Sequence, residues 1–140
     1  MSRLFWDTNL FIYLIEGSGG NAQRVAELAE RMLERGDRLY SSTLTLGEVL
    51  VKPVEQKNSE MVEAYERLLS THAILIPFDE TAARIYAGLR MDRTISPPDA
   101  IQLSCASVAR VDLFITNDDR LSRKIIPGIQ FIVALNQAFL

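Results

Sequence analysis

The stretch Leu4-Phe5-Trp6-Asp7-Thr8-Asn9-Leu10-Phe11-Ile12-Tyr13 constrains this chain more than any other. An apolar run too short for a helix stops on a carboxylate, and a second apolar run with helical spacing comes at once. That order reads as a buried strand feeding straight into a helix, with Asp7 at the junction. In a parallel sheet such a strand ends at the carboxyl edge, where open α/β folds place their sites.

The rest of the chain repeats the alternation. Gly17-Ser18-Gly19-Gly20 reads as a loop; it has neither the GxGxxG nor the GxxxxGK[ST] spacing of a phosphate-gripping turn. Residues 21–35 form an amphipathic helix with Val25, Leu28, Ala29, Met32 and Leu33 as its apolar stripe, and Gly36 stops it. A short strand over 38–41 is followed by a helix from Ser42 to Val51, which Pro53 is expected to end. A further helix spans 58–69, and His72 falls in the linker before a strand at 73–78. Asp79 is placed to cap the next helix, whose stripe is Ala82, Ile85, Tyr86 and Leu89.

Ser96-Pro97-Pro98-Asp99 then opens a helix rich in Ala and Ser, small enough to lie close against a sheet. A strand at 111–116, a turn at 117–119, a short helix at 120–124, a last strand at 129–133 and an apolar tail complete the chain. Strands alternating with helices predict an α/β fold: a three-layer α/β/α sandwich on a central, mostly parallel sheet, as one domain over residues 1–140.

Composition narrows the function. With 48% hydrophobic and 24% charged residues the chain is an ordinary globular protein. No apolar run is long enough to span a bilayer, and no secretory signal is legible, so the expected location is cytoplasmic with no membrane partner. The single cysteine, Cys105, excludes an internal disulfide and reads as a reduced core thiol. A net charge of −3 argues against a general nucleic-acid coat. A nucleic-acid enzyme would need a local basic rim and metal ions to offset its own acids. The lone His72, without a second histidine or cysteine nearby, is not read as a metal ligand.

Four acids carry the functional signal: Asp7, Glu48, Asp99 and Asp118. Each has a structural alternative. Asp7 and Asp118 could cap the helices after them, and Thr45/Glu48 and Ser96/Asp99 have capping-box spacing. Together they gather at the strand C-terminal, helix N-terminal edge. Close acids there repel one another unless cations are bound. An all-oxygen, carboxylate-rich pocket suits Mg²⁺ or Mn²⁺, and two such ions can activate water and stabilise the leaving oxygen in phosphodiester hydrolysis.

At this point the residues resemble a family. Asp7-Thr8-Asn9 after an apolar strand, Ser42-Thr43-Leu44-Thr45-Leu46-Gly47-Glu48-Val49, Pro98-Asp99-Ala100-Ile101-Gln102-Leu103 and Thr116-Asn117-Asp118 resemble the four motifs of PIN domains, in order. The length is most similar to the toxin ribonucleases of VapBC-type toxin–antitoxin pairs. The resemblance implies Mg²⁺- or Mn²⁺-dependent cleavage of RNA, with two ions during catalysis, a homodimer and inhibition by a small antitoxin. It makes Asp7, Glu48, Asp99 and Asp118 the metal-binding quartet, with Thr8, Asn9 and Thr116 supporting them or orienting water. Asp118 is preferred over Asp119 because the family's acid stands two residues after the threonine. Arg93, near Asp99 in sequence, is the candidate phosphate contact.

Two rivals stand beside this: a PIN-like binding or RNA-processing module without a toxin role, and an aspartyl-phosphate phosphatase or receiver protein. The phosphatase pattern wants a second aspartate two residues after the first, where Asn9 stands. Receivers want an acidic pair after the first strand, and Asp7 is alone.

Overall fold

A computed structural model describes residues 1–17 and 19–138. Its five strands are β1 (Arg3–Trp6), β2 (Arg38–Ser42), β3 (Ile74–Ile76), β4 (Leu113–Thr116) and β5 (Phe131–Ala134). They form one parallel sheet in the order β3-β2-β1-β4-β5. The opening strand is therefore central, with Leu4 opposite Leu39 on one side and Leu113 on the other.

Side chains alternate across a strand, so β1 supplies both faces of the sheet. Leu4 and Trp6 join one apolar cluster with Leu10, Phe11, Val25 and Tyr65. Phe5 joins the other with Leu103, Ala106 and Phe114, and its ring stacks on Phe114 at 5.0 Å between centroids. The helices are α1 (Thr8–Glu16), α2 (Gly19–Arg35), α3 (Thr43–Glu55), α4 (Ser59–His72), α5 (Glu80–Leu89) and α6 (Pro97–Ala109). The first cluster draws on α1, α2, α3 and α4, the second on α5 and α6, which makes three layers. Leu4, Phe5 and Trp6 are fully buried, each contributing about 1.5–3 kcal/mol relative to exposure.

The small residues of α6 do what their size permits. Ala100, Ser104, Cys105, Ala106 and Ala109 are all buried, and the Cys105 thiol is pushed up to about 11 by burial, as suits a reduced core group. Among the described residues no helix is long and apolar enough to cross a membrane.

Several elements differ from the sequence expectation. Gly19 and Gly20 open α2 instead of extending a loop; Ser18 of that stretch, and the end of the tail after β5, lie outside the described residues. Pro53 does not end its helix. It sits buried in the last turn of α3, where a proline forfeits a single bond, and the stop comes at Lys57 with φ 53°. There the Asn58 N–H reaches back to the Pro53 carbonyl at 2.9 Å, a Schellman-type closure. Leu33, expected in the α2 stripe, is 83% exposed, because the buried face runs through Val25, Leu28 and Met32. His72 is the last residue of α4 and not part of a linker. Strands β3 and β5 are shorter than, or shifted from, the ranges read in the sequence, and residues 121–123 form only a 3-10 turn.

Candidate active site

The carboxyl ends of β1, β2 and β4 lie side by side, so the segments that leave these strands meet at one edge. A crevice of about 380 Å³ opens there. Asp7, Thr8, Asn9, Glu48, Asp99, Gln102, Thr116, Asn117, Asp118, Asp119 and Arg120 line it, so all four sequence-selected acids share one cavity.

Asp7 is the residue between β1 and α1, with φ −66° and ψ 160°. It is a helix cap and a crevice residue at once. Its Oδ1 accepts from the Thr8 N–H at 2.9 Å, and its Oδ2 accepts from the Thr116 hydroxyl at 2.9 Å. Burial pushes its carboxyl up to about 6. The hydrogen bonds from Thr116 and Thr8 oppose that push, while the charges of Asp99 and Glu48 add to it. Thr116, at the end of β4, is fully buried and also accepts from the Asp118 N–H at 3.1 Å, so one hydroxyl ties Asp7 to the loop bearing Asp118.

Asp99 stands at the third position of α6. Ser96 caps that helix, accepting from the Asp99 N–H at 3.3 Å, with Pro97 at the first helical position. Glu48 differs from the capping-box expectation. The cap of α3 is Ser42, which accepts from the Thr45 N–H, so Glu48 falls in the second turn and its carboxylate is released from cap duty. It accepts instead from the Thr8 hydroxyl at 2.6 Å. Asp118 is gripped by Arg120, whose guanidinium holds its carboxyl below the usual range.

Behind the acids lies a polar network that the sequence reading did not single out. Gln102, 1% exposed, donates from Nε2 to Thr8 Oγ1 at 3.0 Å and to Thr45 Oγ1 at 2.7 Å, while Ser42 donates to its Oε1. The available signal was a long polar side chain in a helix of otherwise small and apolar residues. Arg120 was missed too, although an arginine two residues beyond Asp118 could have suggested a charge partner. Arg93 is exposed in the turn between α5 and α6 and does not line the crevice. Asn9 is exposed at the crevice rim.

The donor set suits a hard divalent cation in type: carboxylate oxygens, amides and hydroxyls, with no thiol or imidazole lining the crevice. The Asp7 carboxyl is raised mainly by burial, with the charges of Asp99 and Glu48 adding to it. Among the described residues no three acids stand close enough to hold an ion as their side chains are set. Two are engaged elsewhere, Glu48 on Thr8 and Asp118 on Arg120, and both contacts are exposed enough to exchange.

The PIN domain family matches residues 4–125 of the chain. The chain belongs to the PIN domain family. No curated protein matches it in sequence. Among solved structures, this PIN domain is similar to VapBC2 from Rickettsia felis, bound to a DNA fragment from its promoter, with TM-score 0.75 and 18% identity over 94% of this chain and 98% of that one. A toxin–antitoxin complex from Klebsiella pneumoniae gives TM-score 0.66 and 24% identity over 90% and 94%. VapBC-5 from Mycobacterium tuberculosis gives 0.61 and 16% over 96% and 99%. Identities this low establish the shared fold of the PIN domain.

Proposed function

We propose that this PIN domain is a Mg²⁺- or Mn²⁺-dependent endoribonuclease and the toxin of a type II toxin–antitoxin pair. The observation that carries the reading is the arrival of Asp7, Glu48, Asp99 and Asp118 in one crevice from four separate parts of the chain. These four would hold the metal, as two ions during catalysis. Bound there, the ions would activate water and offset the charge that builds on the phosphate and the leaving oxygen.

The chain's own residues prepare that site. The Thr116 hydroxyl and the Thr8 N–H fix both oxygens of Asp7, so its orientation is set before any ligand arrives. Thr8, braced by Gln102, holds Glu48 at the crevice wall. Asn9 presents an amide at the rim that can orient a phosphate or water, and Asn117 lines the same crevice with its Nδ2 donating to the Tyr13 hydroxyl at 2.8 Å.

An RNA substrate is implied by the family resemblance, and an antitoxin partner is suggested by solved neighbours described as a toxin–antitoxin complex and as a member of the VapBC family of toxin–antitoxin systems. A homodimer and an antitoxin complex are the proposed assemblies, and Met91 and Ile125, 84% and 96% exposed, are apolar side chains that either could cover. The proposed location is the cytoplasm. Expression of the chain in a bacterial host should arrest growth with loss of intact RNA, and Asp99→Asn should relieve the arrest. Growth arrest unchanged by that substitution would remove the nuclease toxin reading.

A second reading, a metal-independent RNA-binding module, has one observation on its side: Glu48 and Asp118 are occupied by protein partners. Titration with Mn²⁺ separates the two, since a binding module would give no saturable metal response.

A further inference from the structure

Arg120 is the one cationic side chain among the described residues that line the carboxylate crevice. It holds Asp118 side-on: Nε lies 3.2 Å from Oδ1 and Nη2 lies 2.9 Å from Oδ2. The Arg120 N–H also donates to Oδ1 at 2.9 Å. Both oxygens of this acid are thus covered by one planar fork, a geometry that guanidinium offers and ammonium does not.

Two facts make this contact an exchangeable one. The Arg120 side chain is 82% exposed, and an ion pair open to solvent holds its partners weakly. A cation coordinated by Asp118 would bind oxygens that already accept three N–H groups, two on Oδ1 and one on Oδ2. A carboxylate offers about four acceptor sites in all, so guanidinium and metal would crowd one side chain. Once displaced, the guanidinium would stand at the mouth of a crevice lined by five acids, Asp7, Glu48, Asp99, Asp118 and Asp119, as the one positively charged side chain there that a polyanionic substrate could meet.

We propose that Arg120 is a transferable clamp. It covers Asp118 while the metal is absent, is released when the cation takes that carboxylate, and then binds a phosphate of the RNA with the same fork. This rests on the nuclease reading above, and it adds a substrate-binding residue and an ordered exchange that couples metal entry to RNA binding.

The test uses the full chain and its Arg120→Lys and Arg120→Gln variants, with Mn²⁺ affinity measured by calorimetry and RNA cleavage resolved into kcat and KM. Lys keeps the charge and loses the fork. Both variants should bind Mn²⁺ several-fold more tightly than the wild type, because Asp118 is uncovered. Arg120→Gln should raise the KM for RNA about tenfold, the size of one charge-assisted contact, with kcat little changed at saturating metal. Mn²⁺ affinity in Arg120→Lys equal to wild type, or an unchanged KM in Arg120→Gln, would overturn the clamp while leaving cleavage and metal binding intact. A wild type that binds no Mn²⁺ at all would overturn the clamp together with the nuclease reading.

Discussion

The Thr8 hydroxyl donates to Glu48 Oε1 over 2.6 Å, joining residues 40 positions apart in sequence. The direction of that bond is set by the groups behind it. Ser42 Oγ accepts from the Thr45 N–H and donates to the Gln102 carbonyl. Both amide hydrogens of Gln102 are then spent on Thr45 and Thr8. Thr8, already receiving, gives its own hydrogen to Glu48. A buried chain of donors from β2 and α6 therefore ends on a crevice carboxylate.

Cutting that chain at Gln102 should have a measurable cost. Gln102→Leu keeps the volume and removes the amide, leaving the buried Ser42 hydroxyl without its acceptor, while Thr45 keeps the Ser41 and Thr8 hydroxyls. The expected loss is about 1–3 kcal/mol of stability. Cleavage at saturating metal should also fall, because Glu48 loses its brace. Chemical denaturation beside a cleavage assay measures both; a variant as stable and as active as wild type would show that the network does not position Glu48.

Asp7 gives a pH dependence with a definite sign. Its carboxyl titrates near 3.8 in the unfolded chain and about 6 in the folded one, so the folded state binds the proton more tightly. Below pH ~4 the group is neutral in both states and carries no penalty. As pH rises from about 4 to about 6, only the unfolded chain releases the proton, and stability falls; above that window the penalty is complete. Its size is up to ~3 kcal/mol, less to the extent that solvent reaches the carboxylate. Metal-free Asp7→Asn should escape this loss, so its thermal melting point should exceed that of wild type at pH 7.5 and draw level or fall below at pH 4. The same ordering at both pH values would contradict the buried-charge account.

Gly128 is a structural test far from the chemistry. Its φ is 89°, and a Cβ added there would collide with the Ser107 hydroxyl and lie 3.0 Å from the Ser107 carbonyl. The same hydroxyl donates to the Pro127 carbonyl at 2.7 Å, so the loop before β5 is fitted closely onto α6. Gly128→Ala should destabilise by roughly 1–3 kcal/mol through strain and crowding. Cleavage per folded molecule should stay at the wild-type level. Full stability in a melt would mean that the loop moves aside at no cost.

Much of the fold was legible because burial leaves a periodic trace. Leu4-Phe5-Trp6 reads as a strand covered on both faces, and it is the central one. Two of the misread helix boundaries have local causes. Pro53 falls in the last turn, where a proline costs least, and Gly19-Gly20 joins a helix whose strong apolar stripe lies further on. The placement of the four acids was legible because strand–carboxylate–helix junctions are short and local. Gln102 and Arg120 were not, since their importance arises from contacts: Gln102 meets Thr8 across 94 residues, and Arg120 gains meaning only from the crevice that it shares with Asp118. The capping alternative for Glu48 does not hold, because Ser42 at the end of β2, not Thr45, caps α3.

The central claim is tested most directly by cleavage of a defined single-stranded RNA by the purified chain, with Mg²⁺ or Mn²⁺, with EDTA, and with Asp7→Asn and Asp99→Asn in parallel. Cleavage that requires the metal and falls by orders of magnitude in both variants, each folded by circular dichroism, is the predicted result. Cleavage that survives EDTA, or that is retained in both variants, would contradict the assignment of this crevice as a metal-dependent nuclease site.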